Sequence, residues 1–89
     1  MFFVRGRVQG VGFRWWVRSR ALELGLVGHA RNMVDGRVEV QAQGSRDAIV
    51  RLEELLREQP SSARRPGHVE SVVVQWGVPR ADLTGFVER

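Results

Sequence analysis

An α+β sandwich, with two helices on one face of an antiparallel sheet in the order β-α-β-β-α-β, is predicted by three features of this 89-residue chain. A glycine loop, Gln9-Gly10-Val11-Gly12, leads into an apolar stripe at helical spacing. Asp35-Gly36 separates two segments that alternate as strands do. Ser45 then opens a second amphipathic stretch, which a β-forming segment follows.

Phe2 to Val8 is rich in β-formers and reads as the first strand, ended by the glycines that follow it. Phe13, Trp16, Val17, Ala21 and Leu24 fall at i, i+3, i+4, i+8 and i+11, one face of a helix that Gly25 can end with a left-handed cap. Leu26 to Met33 alternates, placing Gly28, Ala30 and Asn32 on one face of a second strand and Val27, His29, Arg31 and Met33 on the other. His29 is expected to be exposed there. Asp35-Gly36 reads as a type I′ turn into the third strand, Arg37 to Gln43, because both residues tolerate positive φ. Ser45 is a good N-cap, with Asp47 in the first turn and Ala48, Ile49, Leu52, Leu55 and Leu56 forming an apolar face to about Glu58. Gln59 to Gly67, with Pro60, Pro66 and Arg64-Arg65, reads as a surface connection, His68 as a loop residue, and Val69 to Trp76 as a fourth strand. Gly85 to Arg89 can add a short fifth. Trp15, Trp16 and Trp76 are expected to be packing groups.

This order is that of the ferredoxin-like, split β-α-β sandwich, as a single domain over residues 1–89. In the usual strand order 4-1-3-2, the C-terminal ends of strands one and two share an edge of the sheet. With neighbouring strands roughly 4.8 Å apart, the loop from Gln9 to Arg14 and the end of strand two at Asn32 should lie about 10 Å from each other. An arginine and a bound phosphate can span that gap.

Composition narrows the function. Without cysteine the chain has no disulfides and no thiolate metal site, which suits a reducing cytoplasm, and without lysine it has no lysine chemistry. Arg5 and Arg7 interrupt the place of a signal peptide's apolar stretch, and no apolar run approaches membrane-spanning length, so a soluble protein with no membrane partner is expected. Of the net charge of +4, residues 1–37 hold +5 and residues 38–89 hold −1. That asymmetry fits either an anionic ligand near the N-terminal half or a solvated basic face without a partner.

The loop favours the ligand. Gln9, Gly10, Val11, Gly12, Phe13 and Arg14 join a strand end to a helix start, where unpaired amides and the positive end of the helix dipole converge on an anion. Two glycines let several amides point inward, and Arg14 can add a bidentate contact that lysine would not reproduce. A nucleotide-binding P-loop needs Gly-Lys-Ser/Thr, and a dinucleotide fingerprint needs a third glycine where Trp15 stands; both are rejected. His29 and His68 lack acids at metal-ligand spacing, so no metal and no cofactor are expected.

Gly6-Arg7-Val8-Gln9-Gly10-Val11-Gly12-Phe13-Arg14, Gly28-His29-Ala30-Arg31-Asn32 and Asp35-Gly36-Arg37-Val38-Glu39-Val40 together closely resemble the acylphosphatase family. The resemblance is strongest over residues 4–44 and extends more weakly through Val69-Glu70-Ser71-Val72 and Thr84-Gly85-Phe86. It implies a metal-independent hydrolase of small acyl phosphates, with Arg14 binding the phosphate, Asn32 orienting the attacking water, and inorganic phosphate as product and competitive inhibitor. Three departures stand out: His29 where the family usually has tryptophan or tyrosine, a connection lengthened by Arg64-Arg65-Pro66-Gly67, and a first strand that begins almost at Met1.

The rival readings are an RNA-binding sandwich, a carbamoyl-phosphate-handling domain and a catalytically idle scaffold. The third strand offers Arg37, Glu39, Gln41 and Gln43 but no aromatic on which bases could stack, against nucleic acid as a partner. No zinc-finger cysteines or further domain accompany the chain, against the carbamoyl reading. A polar open sheet face favours a monomer.

Overall fold

The computed structural model describes residues 1–77, 80 and 83–89. Its elements are β1 (Phe2–Arg7), α1 (Phe13–Glu23), β2 (Val27–Asn32), β3 (Val38–Gln43), α2 (Arg46–Arg57), β4 (His68–Val74) and β5 (Phe86–Glu88). The strands form one sheet in the order β4-β1-β3-β2-β5. The expected 4-1-3-2 order is therefore present, with β5 added beside β2. β5 runs parallel to β2, Gly28 opposite Phe86, so the sheet is mixed at that edge instead of wholly antiparallel. β4 and β5, consecutive strands in the chain, thus lie at opposite edges of the sheet.

The core lies between the sheet and the two helices. Phe2 and Val4 of β1, Ala30 of β2, and Val38 and Val40 of β3 meet Phe13, Trp16, Val17 and Ala21 of α1 and Leu52, Leu55 and Leu56 of α2. Both predicted helical stripes are thus the buried ones. Ser45 caps α2 by accepting the Ala48 amide at 3.1 Å. α1 ends as expected on Gly25 at φ +72°, where Leu26 N–H donates to the Ala21 carbonyl at 2.9 Å and Gly25 N–H to that of Leu22 at 3.1 Å. This double closure places β2 directly after the helix.

The β2–β3 turn is not the predicted type I′. Asp35 keeps a negative φ, and only Gly36 is left-handed, at +92°. Gly36 N–H donates to the Met33 carbonyl at 3.1 Å, and Met33 N–H to that of Arg37 at 2.8 Å, giving a three-residue loop. The Asp35 carboxylate accepts the Arg37 amide at 3.1 Å, a local bond that favours this form over I′. Of the three tryptophans, only Trp16 is buried. It donates to the Ala63 carbonyl at 2.8 Å, whereas Trp15, one position round the helix, and Trp76, beyond the end of β4, are exposed. His68 opens β4 and is not a loop residue.

The face of the sheet away from the helices holds the clearest departure from expectation. His29 is 6% exposed, not a solvent-facing residue. Its Nε2 lies 2.8 Å from Oε2 of Glu39, whose Oε1 accepts from Arg31 at 3.0 Å. Because an ionised carboxylate can only accept, Nε2 carries the proton in this contact. Burial pushes the Glu39 carboxyl up, but the hydrogen bonds and charge of His29 and Arg31 outweigh it and hold the group below its ordinary value. A depressed folded-state value means that the contribution of Glu39 to stability is complete above the unfolded value and is lost as pH falls through the folded one. Glu39→Gln is therefore expected to destabilise the protein at neutral pH and to lose that deficit below about pH 4.3. Urea unfolding of both proteins across this range checks it; a deficit that stays constant with pH would contradict it.

Candidate active site

The loop between β1 and α1 has the conformation its glycines suggested. Gly10 sits at φ +74° and Gly12 at +84°, and a Cβ added at either would meet nothing within 4 Å. Glycine is required here for backbone shape and not for lack of space. Gly12 is also the N-cap of α1, where no side chain caps the helix and no acid stands in the first turn. No acid of that first turn therefore competes for the first amides of α1 or its positive dipole end.

Arg14 stands in that first turn. Its Nη1 donates to the main-chain oxygen of Arg89, 75 positions away. Arg89 N–H in turn donates to the Ala30 carbonyl at 2.8 Å, so the guanidinium meets the residue that pairs with β2 two positions before Asn32. Arg18, one turn further along α1, anchors the same strand through Nε to the Phe86 carbonyl at 3.2 Å.

Asn32 is the last residue of β2, opposite Val38. Its Oδ1 is buried and has no hydrogen-bond partner among the described residues. A buried acceptor without a donor is costly, and a water is the natural group to satisfy it. Beside it, Arg31, Asn32, Met33, Val34 and Asp35 line a shallow open cavity of about 370 Å³.

The Gln9 side chain joins the two halves of the site. Its Nε2 donates to the carbonyls of Met33 at 2.8 Å and Arg37 at 3.0 Å, so this group faces the hairpin and not the concavity of the loop. Gln9, Gly10, Val11, Gly12, Phe13 and Arg14 are thereby held at the same end of the sheet as Asn32, the juxtaposition expected from the strand order. Val11 in the loop is 43% exposed, and Val34, fully exposed, lines the cavity beside Asn32. Phe13 is buried; its side chain belongs to the core, leaving only its amide for the loop. Among the described residues no group of three or more His, Cys, Asp or Glu could hold a metal ion, and no helix is long and apolar enough to cross a membrane.

The family model described as Acylphosphatase matches residues 1–87. The chain belongs to the acylphosphatase family. An acylphosphatase of Thermobifida fusca is 61% identical over 87 residues, spanning 98% of this chain and 91% of that one. One from Mycolicibacterium vanbaalenii is 59% identical over 87 residues, spanning 98% and 89%. The crystal structure of acylphosphatase from Bacillus subtilis superposes with a TM-score of 0.82 at 30% identity, covering 99% of this chain and 93% of that one. This membership agrees with the resemblance carried by the loop, the Asn32 segment and the hairpin.

Two features of this acylphosphatase-family site escaped the sequence reading. Neither the bond from Arg14 to Arg89 nor the turn of the Gln9 side chain toward the hairpin leaves a local signal, because each depends on a partner brought close only by the folded sheet.

Proposed function

We propose that this protein hydrolyses the carboxyl–phosphate bond of small acyl phosphates to a carboxylate and inorganic phosphate, acting as a monomer in the cytoplasm. The observation that carries the mechanism is the buried Oδ1 of Asn32, without a partner among the described residues, at the same end of the sheet as Arg14 and the N-terminus of α1, which no side chain of the described residues caps. Arg14 and the amides of residues 9–14 hold the phosphate, the guanidinium exchanging its contact with the Arg89 oxygen for the phosphate oxygens. A water donates to Oδ1 of Asn32 and lies in line with the bond to be broken. Its oxygen bonds to phosphorus, the acyl–oxygen bond to phosphorus breaks, and the electron pair leaves with the carboxylate. The water's proton passes to a phosphate oxygen.

These parts suffice because the leaving carboxylate is a weak base that needs no general acid, so charge stabilisation and alignment make up most of the catalytic task. Asn32 contributes alignment and not base catalysis. The open sheet face supports a small-molecule partner over nucleic acid: Arg37 lies 5.1 Å over the ring of Phe3, and His29 is tied to Glu39.

The test is hydrolysis of benzoyl phosphate. Turnover is expected to persist in excess EDTA and to be inhibited competitively by inorganic phosphate, since the described residues contain no metal-ligand cluster. Folded protein with no turnover would support the idle-scaffold reading, and activity lost in chelator and restored by Mg²⁺ would contradict the mechanism.

A further inference from the structure

Asn32 marks the last rung of the β2–β3 ladder, since its pairing with Val38 is the final register pair before the turn. Beyond it, the strand ends are held by the Met33–Arg37 and Gly36–Met33 backbone bonds and, among the described residues, by one side chain from outside the hairpin, that of Gln9. A primary amide has two N–H donors, and here both go to one feature: the carbonyls of Met33 and Arg37. Each carbonyl already accepts one backbone bond within the hairpin, and its second lone pair accepts from Gln9. The orientation of the amide is unambiguous on chemical grounds, because turning it over would set Oε1 against two carbonyl oxygens.

Gln9 is the first residue of the glycine loop, and Met33 directly follows Asn32. The two bonds therefore tie the segment that cradles the anion to the peptide unit adjoining Asn32. We propose that Gln9 is a positioning residue, fixing Asn32 and the water it holds relative to the loop-bound phosphate; this rests on the function proposed above. Its side chain touches neither substrate nor water. It acts by removing freedom from the hairpin root, where an error of about 1 Å in the line of attack can lower a rate on the order of a hundredfold. Among the described residues no other side chain donates to the Met33 and Arg37 carbonyls, and Val34 in the turn is fully exposed, so packing there does not oppose such a shift.

A double-mutant cycle in the full-length protein tests this, with benzoyl phosphate as substrate and inorganic phosphate as inhibitor. Gln9→Ala is expected to lower kcat by about ten- to a hundredfold. It should leave the phosphate inhibition constant within about threefold, because the loop amides and Arg14 remain. In an Asn32→Ala background the same change should lower kcat by no more than about threefold, since the residue through which it acts is already gone. A purely structural role predicts a lowered melting temperature with kcat preserved in the folded fraction. That outcome, an equal loss of kcat in both backgrounds, or a loss of phosphate binding as large as the loss of rate would each overturn the proposal.

If circular dichroism shows Gln9→Ala to be unfolded, Gln9→Glu takes its place in the cycle. It keeps the length and volume of the side chain but presents carboxylate oxygens to the two carbonyls, and the same pattern of losses is expected. Failure of the underlying mechanism is recognised separately, by Asn32→Ala retaining wild-type kcat, and it overturns the inference as well.

Discussion

Arg14→Ala is expected to lose on the order of a thousandfold in kcat/KM toward benzoyl phosphate, the scale seen when an arginine that neutralises charge on a transferring phosphoryl group is removed. Phosphate should bind roughly ten- to a hundredfold more weakly as well, since a charge-assisted contact contributes about 1.5 to 3 kcal/mol in the ground state. Arg14→Lys should recover little, because a point charge cannot reproduce a planar fork reaching from the first turn of α1. Asn32→Ala is expected to behave differently, lowering kcat while keeping phosphate inhibition within about threefold of wild type, as an interaction with the attacking water should. Each variant must first show a native circular dichroism spectrum. The division of labour is wrong if folded Asn32→Ala loses phosphate binding as severely as Arg14→Ala, or if Arg14→Ala binds phosphate normally.

A second large effect belongs to Gly28, on the strand that carries Asn32. At φ +142°, a Cβ there would lie 1.8 Å from the Gln41 carbonyl oxygen and 2.7 Å from its carbon, so both the backbone shape and the β3 main chain exclude a side chain. Gly28→Ala is expected to cost about 3 to 5 kcal/mol, adding backbone strain to overpacking. In a domain of this size that lowers the melting temperature by about 12 °C or more. Gly36→Ala supplies the control, since its φ of +92° is also unfavourable but a Cβ would meet nothing within 4 Å. It should cost about 1 kcal/mol. Denaturant unfolding of the two variants decides the matter: equal losses would mean that the close approach of β3 has no bearing on why glycine stands at position 28.

Much of this architecture was legible from the residues. The stripe from Phe13 to Ala21 and that from Leu52 to Leu56 are periodic enough to name the buried face, and Ser45 caps the helix it was expected to cap. The glycine loop and Asn32 could be placed at one sheet edge because strand order follows from element order. What failed depended on partners distant in sequence or on competition within a turn. His29 alternates as an open-face residue should, yet Glu39 and Arg31 in the neighbouring register close over it. Period alone cannot report such covering, and a buried histidine there needs a carboxylate whose proximity only the pairing of β2 with β3 creates. Asp35-Gly36 marked a turn correctly, but not its type, because the Asp35 carboxylate bonds the chain just after it. The direction of β5 had no local signal at all.

The position of Arg89, with its amide on Ala30 and its main-chain oxygen on Arg14, bears on how the protein should be handled. Met1 lies at the far end of the sheet, its amine donating to the Gln75 carbonyl at 3.0 Å. A bulky segment following directly on Arg89 would therefore emerge beside the Arg14 guanidinium and crowd it, whereas one joined ahead of Met1 would emerge at the opposite end of the sheet.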